Sequence, residues 1–389
     1  MEQQAVREAI LEWLQAREQE MFDLLEEVVS IESGSYNKRG VDKVGAVFRA
    51  WFETAGIATK AFPLSSHGDC LLAKVPGSAG ADAPHVLLLG HMDTVFPDGT
   101  LAQRPYRVEN GIAYGPGVAD MKAGLVMNAF VARAFAEVGG NRAPIHVFFT
   151  GDEEIASPAS RDLTLKIAKG AATVLNAEPG RPSGNVVVER KGAFFIDFEV
   201  DGVAAHAGVA HDKGASAIEA LARKIVDLHT LTDKSTGVTA NVGTIRGGVS
   251  VNTVAPHAKG QLDVRFPKGV DENQLRSRIL HIIEGQSLAC TCGRVTHEGR
   301  FLPLFQTDAS RDLMEDYAQA AQELGLSVVG ESTGGSADSG FTAAAGAPTL
   351  CATGPVGGHA HTPQEYCRLD TIVPRAQTVA LTVLARDRL

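Results

Sequence analysis

Cysteine is scarce. There are five in 389 residues, and the one close pair, Cys290-x-Cys292, lacks zinc-knuckle spacing. An odd, sparse set of thiols reads as small packed fillers and points to a reducing, cytoplasmic location. No apolar run reaches about 18 residues, which excludes a spanning helix. The start, Met1-Glu2-Gln3-Gln4, has neither the basic region nor the apolar stretch of a signal peptide. Lys and Arg number 36 against 46 Asp and Glu, a net charge of −10. That removes the general electrostatic grip needed for nucleic acid or an anionic membrane surface. Repeats and low-complexity tracts are absent. A dinucleotide fingerprint fails too: Gly115-Pro116-Gly117 runs on to Asp120 where a third glycine belongs, and it does not follow the first strand.

The remainder is an ordinary globular composition, 44% hydrophobic and 21% charged. At roughly 150 residues per domain the length predicts two or three domains. Val6, Ile10, Leu14, Met21, Leu25 and Val28 fall near a 3.6 period and predict one opening helix. Solid apolar runs follow at 86–89, 145–149 and 172–175, of the kind buried on both faces of a parallel sheet, with a helix over 122–138 between the first two.

Near residue 190 the pattern changes. Phe194, Ile196, Phe198 and Val200 alternate with Phe195, Asp197 and Glu199, a period of two. A helix over 217–231, strands over 238–246 and 262–266, a helix over 272–283 and a short strand at 294–296 complete a β-α-β-β-α-β order, that of a ferredoxin-like module with one face of its sheet covered. Helices at 308–324 and 374–385 return to the first style. The expectation is an α/β domain (1–189 and 301–389) with a mostly parallel sheet flanked by helices, interrupted by a smaller ferredoxin-like α+β domain (190–300).

The chemistry-bearing residues lie at strand ends. His91 and Asp93, in Gly90-His91-Met92-Asp93-Thr94, follow the run 86–89, where open α/β sheets bind ligands. Taken alone they read as a strand-end histidine with a capping acid. Asp152-Glu153-Glu154 follow the run 145–149, Glu178 follows the run 172–175, and Asp120 opens a helix. Each also has a plain reading as a helix cap or a dipole-matched acid. Their convergence on one sheet edge decides otherwise. Several carboxylates meeting one imidazole repel each other unless a cation neutralises them. Mixed His and carboxylate ligands fit one or two zinc ions, with a spare acid as general base. Spacing alone does not choose between Glu153 and Glu154.

The set Gly90-His91-Met92-Asp93-Thr94, Gly117-Val118-Ala119-Asp120-Met121-Lys122-Ala123-Gly124, Thr150-Gly151-Asp152-Glu153-Glu154, Ala177-Glu178-Pro179 and His361-Thr362-Pro363-Gln364-Glu365 resembles the co-catalytic di-zinc peptidases. These include glutamate carboxypeptidase (carboxypeptidase G), acetylornithine deacetylase and succinyl-diaminopimelate desuccinylase. The resemblance implies that His91, Asp120 and Glu178 hold one zinc and that Asp120, Glu154 and His361 hold the other. Cobalt or manganese are substitutes such ligands would accept. It implies that Asp93 orients His91, that Glu153 is the base acting on the water between the ions, and that the Asp120–Met121 peptide is cis. His359 is a rival to His361, which the following Thr-Pro-x-Glu favours.

The inserted domain becomes a lid and dimerisation surface on this resemblance. His206 would reach the other subunit's site, Asn252 would contact the substrate, and Arg265 would grip its free carboxylate. The loop Gly334-Gly335-Ser336-Ala337-Asp338-Ser339 would cover the substrate. The implied function is hydrolysis of an amide next to a free carboxylate, acting on a small N-acyl amino acid or short peptide as a homodimer. The wording of Gly354-Pro355-Val356-Gly357-Gly358 leans towards the glutamate carboxypeptidase branch, with an acetylornithine deacetylase-like deacylase as the alternative. Two remote alternatives are a serine hydrolase built on Gly330-Glu331-Ser332-Thr333-Gly334 with Asp338 or Asp370 and His361, and a non-catalytic binding protein.

Overall fold

Leu87 and Leu89 face one side of the strand Val86–His91 while Val86 and Leu88 face the other, and both sides are buried in apolar clusters. That is why this run carries no polar alternation. The structure, a computed structural model, describes residues 2–387. The strand lies within an eight-stranded, mostly parallel sheet ordered 58–62, 70–75, 145–150, 86–91, 173–176, 349–351, 186–190, 330–333. The middle strands 145–150, 86–91, 173–176 and 349–351 are mutually parallel, and antiparallel strands extend the sheet on both sides. Helices Ala123–Val138 and Ile372–Arg386 contribute to the core on one face, and the helix Arg161–Ala168 packs on the other.

The chain forms two compact units. The larger runs through Glu189 and resumes over Leu304–Thr333 and from Ala337 onward; the smaller comprises Arg190–Pro303 and Gly334–Ser336. In the smaller unit, strands Gly192–Asp201, Thr239–Gly247, His257–Phe266 and Cys292–Phe301 form an antiparallel sheet ordered 239–247, 257–266, 192–201, 292–301. Helices Ala217–His229 and Glu272–Glu284 cover one face, burying Phe194, Ile196, Phe198 and Val200 against Leu221, Leu228, Leu275 and Ile279. The alternation seen in the sequence is this one-sided burial.

Local features differ from expectation. The opening helix is two helices, Glu2–Gln15 and Glu18–Val29. No glycine or proline marks the break. Arg17 makes it: its backbone N–H donates to Leu14 O rather than Trp13 O, and its guanidinium takes the Trp13 carbonyl (3.3 Å) and stacks on the Trp13 ring. The last strand of the smaller unit spans Cys292–Phe301 rather than a short segment, because cross-strand pairing to 193–201 extends a polar stretch that has no periodic signal. A second small sheet, ordered 357–358, 366–368, 112–114, 107–109, went unanticipated, since strands of two or three residues are too short to show a period.

Candidate metal centre

Strands 145–150, 86–91 and 173–176 are parallel neighbours, so their carboxyl ends lie side by side. His91 is the last residue of its strand, Glu153 and Glu154 follow the second in a short 3-10 turn, and Glu178 follows the third. Asp120 lies in the irregular turn before helix Ala123–Val138, with φ −109° and ψ 89°, and the Asp120–Met121 peptide is cis. Two glycines permit this approach. Gly117 has φ +71° and a Cβ there would meet Thr94; a Cβ on Gly124 would stand 2.0 Å from the Ala177 carbonyl oxygen. His361 comes from the small sheet, where Tyr366, Cys367 and Arg368 pair with Tyr114, Ala113 and Ile112. Its φ of +64° is left-handed, uncommon without glycine.

These side chains converge. His91 Nε2 is 3.3 Å from Asp120 Oδ1, 3.7 Å from Glu178 Oε1 and 3.8 Å from Glu153 Oε2. His361 Nε2 is 3.2 Å from Asp120 Oδ2 and 3.1 Å from Glu154 Oε2. Asp120 thus faces both imidazoles, one with each oxygen. His359 instead lies against the Tyr366 ring, with centroids 5.8 Å apart.

Three buried atoms here, His91 Nε2, Asp120 Oδ1 and Glu154 Oε1, make no hydrogen bond in the protein. Each such buried polar atom costs about 1–3 kcal/mol if left unsatisfied. Ligands about 2.0–2.1 Å from a tetrahedral ion stand roughly 3.3–3.5 Å apart, close to the separations observed. Nitrogen and carboxylate donors at this spacing fit a divalent cation.

The electrostatics agree. Burial pushes the Glu154 carboxyl up to about 8, helped by the charge of Asp120. Burial also drives Glu153 well above the usual carboxylate range, against the pull of His91. Hydrogen bonds to Asp120 and Glu154 raise His361 to about 11. Burial opposes a charge on His91, but Glu153, Asp120 and Asp93 outweigh it and hold the imidazole well above its ordinary value. The protein alone retains protons to keep this cluster together, and a divalent cation would take their place.

Asp93 does more than touch His91. His91 Nδ1 is 3.0 Å from the Asp93 backbone oxygen and 3.4 Å from its carboxylate. The carboxylate itself accepts from Ser35 Oγ (2.7 Å) and from the backbone N–H groups of Glu153 and Glu154 (both 3.1 Å). Asp152, the first of the three consecutive acids, turns away and accepts from Ala159 N, Ser160 N and Ser160 Oγ. Sequence reasoning missed Ser35, whose position carries no signal. Glu365, to which the sequence assigns no role, accepts with its carboxylate from three backbone N–H groups of the Asp120 loop.

The remaining candidates belong to the smaller unit. His206 and Asn252 are exposed neighbours: His206 forms a bridge with Thr253, and Ala207 N donates to Asn252 O. Gly208 N donates to His206 Nδ1 (3.2 Å), and the ring is held by that contact. Arg265 lies on another strand. Its Nε and Nη2 form a two-pronged pair with Asp263, its Nη1 donates to Ser336 Oγ (3.1 Å), and its guanidinium lies over the Phe195 ring. Ser332 does not occupy a nucleophile elbow. It sits on the strand Gly330–Thr333, donating to Glu189, while Asp338 accepts from Thr150 and Ser157.

The model of Peptidase family M20/M25/M40 matches residues 87–385. The chain is 28% identical to carboxypeptidase G2 of Pseudomonas sp. (strain RS-16) over 371 residues, covering 92% of this chain and 88% of that one. It is 29% identical to a succinyl-diaminopimelate desuccinylase of Xanthomonas oryzae pv. oryzae over 321 residues, covering 75% and 80%. Among solved structures, an M20 family metallo-carboxypeptidase from Sulfolobus solfataricus superposes with TM-score 0.76 at 17% identity, covering 95% and 100%. A Bacillus subtilis protein described as a dinuclear metal binding peptidase gives TM-score 0.65 at 16% identity, covering 95% and 98%. These last two share the fold. A histidine and carboxylate cluster at parallel strand ends, in a chain matched from residue 87 to residue 385, identifies a member of Peptidase family M20/M25/M40, a metallopeptidase-family hydrolase.

Proposed function

We propose that the protein hydrolyses an amide bond next to a free carboxylate, as a glutamate carboxypeptidase-like enzyme with two zinc ions per chain. The observation that carries this reading is the meeting of His91, Asp120, Glu153, Glu154, Glu178 and His361 around buried atoms that the protein does not satisfy. His91, Asp120 and Glu178 would hold one ion; Asp120, Glu154 and His361 would hold the other. When bound, such ions polarise a carbonyl and make water acidic near neutral pH. Asp93 fixes His91 and the backbone of the acids that follow the neighbouring strand.

Glu153 takes the proton from the attacking water and delivers it to the leaving nitrogen as the C–N bond breaks. His206 of the second subunit donates Nε2–H to the developing oxyanion. Asn252, whose amide oxygen already accepts from Ser250, offers its NH2 to the substrate. Arg265 receives the carboxylate at its Nη1 end, because Asp263 occupies the opposite edge. Similarity to carboxypeptidase G2 over 92% of the chain favours glutamate conjugates; similarity to succinyl-diaminopimelate desuccinylase supports an N-acyl-amino-acid deacylase as the second reading. Five free cysteines accord with a reducing, cytoplasmic setting.

The test is metal content together with hydrolysis of an N-acyl-amino-acid panel that includes glutamate conjugates, before and after chelation. About two zincs per chain are expected, with turnover lost to chelator and restored by metal. Glu153→Ala should keep its metal and lose about 10²–10⁴ in turnover. Activity that survives complete metal removal, or near-normal turnover in Glu153→Ala, defeats the reading.

A further inference from the structure

Glu365 is 1% exposed and lies four residues after His361. Its Oε1 accepts from Ala119 N (2.9 Å) and Asp120 N (3.0 Å), and its Oε2 accepts from Gly117 N (3.1 Å). One carboxylate thus gathers three N–H groups from four consecutive residues, an anion nest made by the turn. Burying a carboxylate is costly, and charge-assisted hydrogen bonds to the backbone offset that cost. The placement has a consequence beyond loop stability. Asp120 has its backbone N–H held by Glu365, while its two oxygens face His91 (3.3 Å) and His361 (3.2 Å). Glu365 is in turn bound into the His361 turn by its own N–H, which donates to Thr362 O. It therefore straps together the two segments that bring Asp120 and His361 to the same point, segments more than two hundred residues apart in the chain.

We propose that Glu365 is a positioning residue for the metal centre: its carboxylate clamps the Asp120 loop to the His361 turn and sets the angle at which Asp120 meets both ions. The inference rests on the reading of Asp120 and His361 as metal ligands. Lys122 braces the far side of the same loop, its buried Nζ donating to Ile31 O at 2.7 Å. The Asp120 turn is thus tethered at both ends, and Glu365 is the tether on its own backbone N–H. A glutamine at 365 keeps one oxygen for Ala119 and Asp120 but turns an NH2 towards Gly117 N–H, donor against donor. With Gly117 released, the start of the turn is free to shift, and the aim of Asp120 at both histidines shifts with it. Removing a group that orients a ligand typically weakens metal binding about 10–100-fold.

The probe is cobalt(II), titrated into the metal-free full-length protein and followed by its visible d–d absorption and by competition with a chelator. Wild type, Glu365→Gln, Glu365→Asp and Asp120→Asn are compared, with thermal midpoints of the metal-free forms measured alongside. Glu365→Gln should bind cobalt about 10–100-fold more weakly and with an altered d–d spectrum. Wild-type affinity and spectrum in Glu365→Gln, with only a lowered metal-free midpoint, would reduce Glu365 to a loop-stabilising residue and overturn the proposal. Should Glu365→Gln not fold, Glu365→Asp decides: it keeps the charge one methylene short and should show weakened binding, and unchanged binding overturns the proposal. Asp120→Asn separates the two levels. If it takes up cobalt as wild type does, the ligand reading itself fails and the proposal with it; if it loses cobalt while both Glu365 variants bind normally, the positioning role alone fails.

Discussion

His146 stacks on His85 with ring centroids 4.1 Å apart, on the strand that precedes Glu153 and Glu154. Burial, then the neighbouring charges of His85 and Lys74, hold the His146 pKa down to about 3. The unfolded chain, near 6.5, therefore takes the proton first. Stability from this group is present above about pH 6.5 and drains away as pH falls towards 3. His146→Gln should consequently lose less urea resistance than wild type between pH 7 and pH 5, both measured metal-free. Parallel pH profiles would contradict this. The same scale shows what residue type conveys and what it withholds. The acids after strand 145–150 were legible as a chemical group, because a strand end is where an open α/β sheet binds ligands. Which of them faces inward was not: Asp152 turns to Ala159 and Ser160 while Glu153 and Glu154 turn to the histidines, a matter of rotation within one turn. Ser35, which holds Asp93 from 58 residues away, had no local mark at all.

At the scale of elements, the helix Ala123–Val138 can approach the segment that follows strand Thr173–Asn176 and carries Glu178 only because residue 124 is glycine. A methyl there would lie 2.0 Å from the Ala177 carbonyl oxygen, a backbone atom that cannot swing aside. Gly124→Ala should force helix and strand apart, costing about 1–3 kcal/mol and lowering metal occupancy, since Asp120 and Glu178 ride on the two displaced elements. Urea midpoint and metal content check this together; an unchanged midpoint would show that the approach tolerates a side chain. The long elements were legible because burial imposes a period on them, 3.6 for helices and two for the one-sided sheet of the smaller unit. The break at Ala16-Arg17 was not, since it comes from a guanidinium taking a carbonyl, which no propensity registers. The strands at 357–358 and 366–368 escaped notice for want of length, yet they carry the turn that delivers His361.

At the scale of the molecule, the smaller unit leaves an apolar stripe uncovered. Ile218, Ala222 and Val226 lie along one side of helix Ala217–His229, with Ile218 46% and Val226 66% exposed. Ile245, 63% exposed, stands on the edge strand Thr239–Gly247. An open strand edge with apolar side chains invites pairing with another chain, and a two-fold pairing of this surface would give the homodimer proposed above. Val226→Glu should give a monomer in sedimentation at micromolar concentration, with metal content kept and turnover lost along with the partner's His206. A wild-type protein that sediments as a monomer, or a variant that remains dimeric and active, would remove the dimer from the mechanism. Among the described residues no helix is long and apolar enough to cross a membrane.

The sequence by itself determined the class of sheet, the inserted module and the kind of chemistry. Each follows from local rules: burial on one or two faces writes a period into the chain, and several carboxylates meeting at one buried strand end repel one another unless a cation neutralises them. Tertiary structure decided how those residues meet. That Asp120 faces two histidines, that Asp93 holds the backbone of Glu153 and Glu154, that Glu365 clamps Asp120 to the His361 turn and that Arg265 is already paired with Asp263 are contacts between side chains and distant or turned backbone. Such contacts depend on φ, ψ and rotamer at single residues, and the order of residues along the chain leaves those open until the whole fold closes around them.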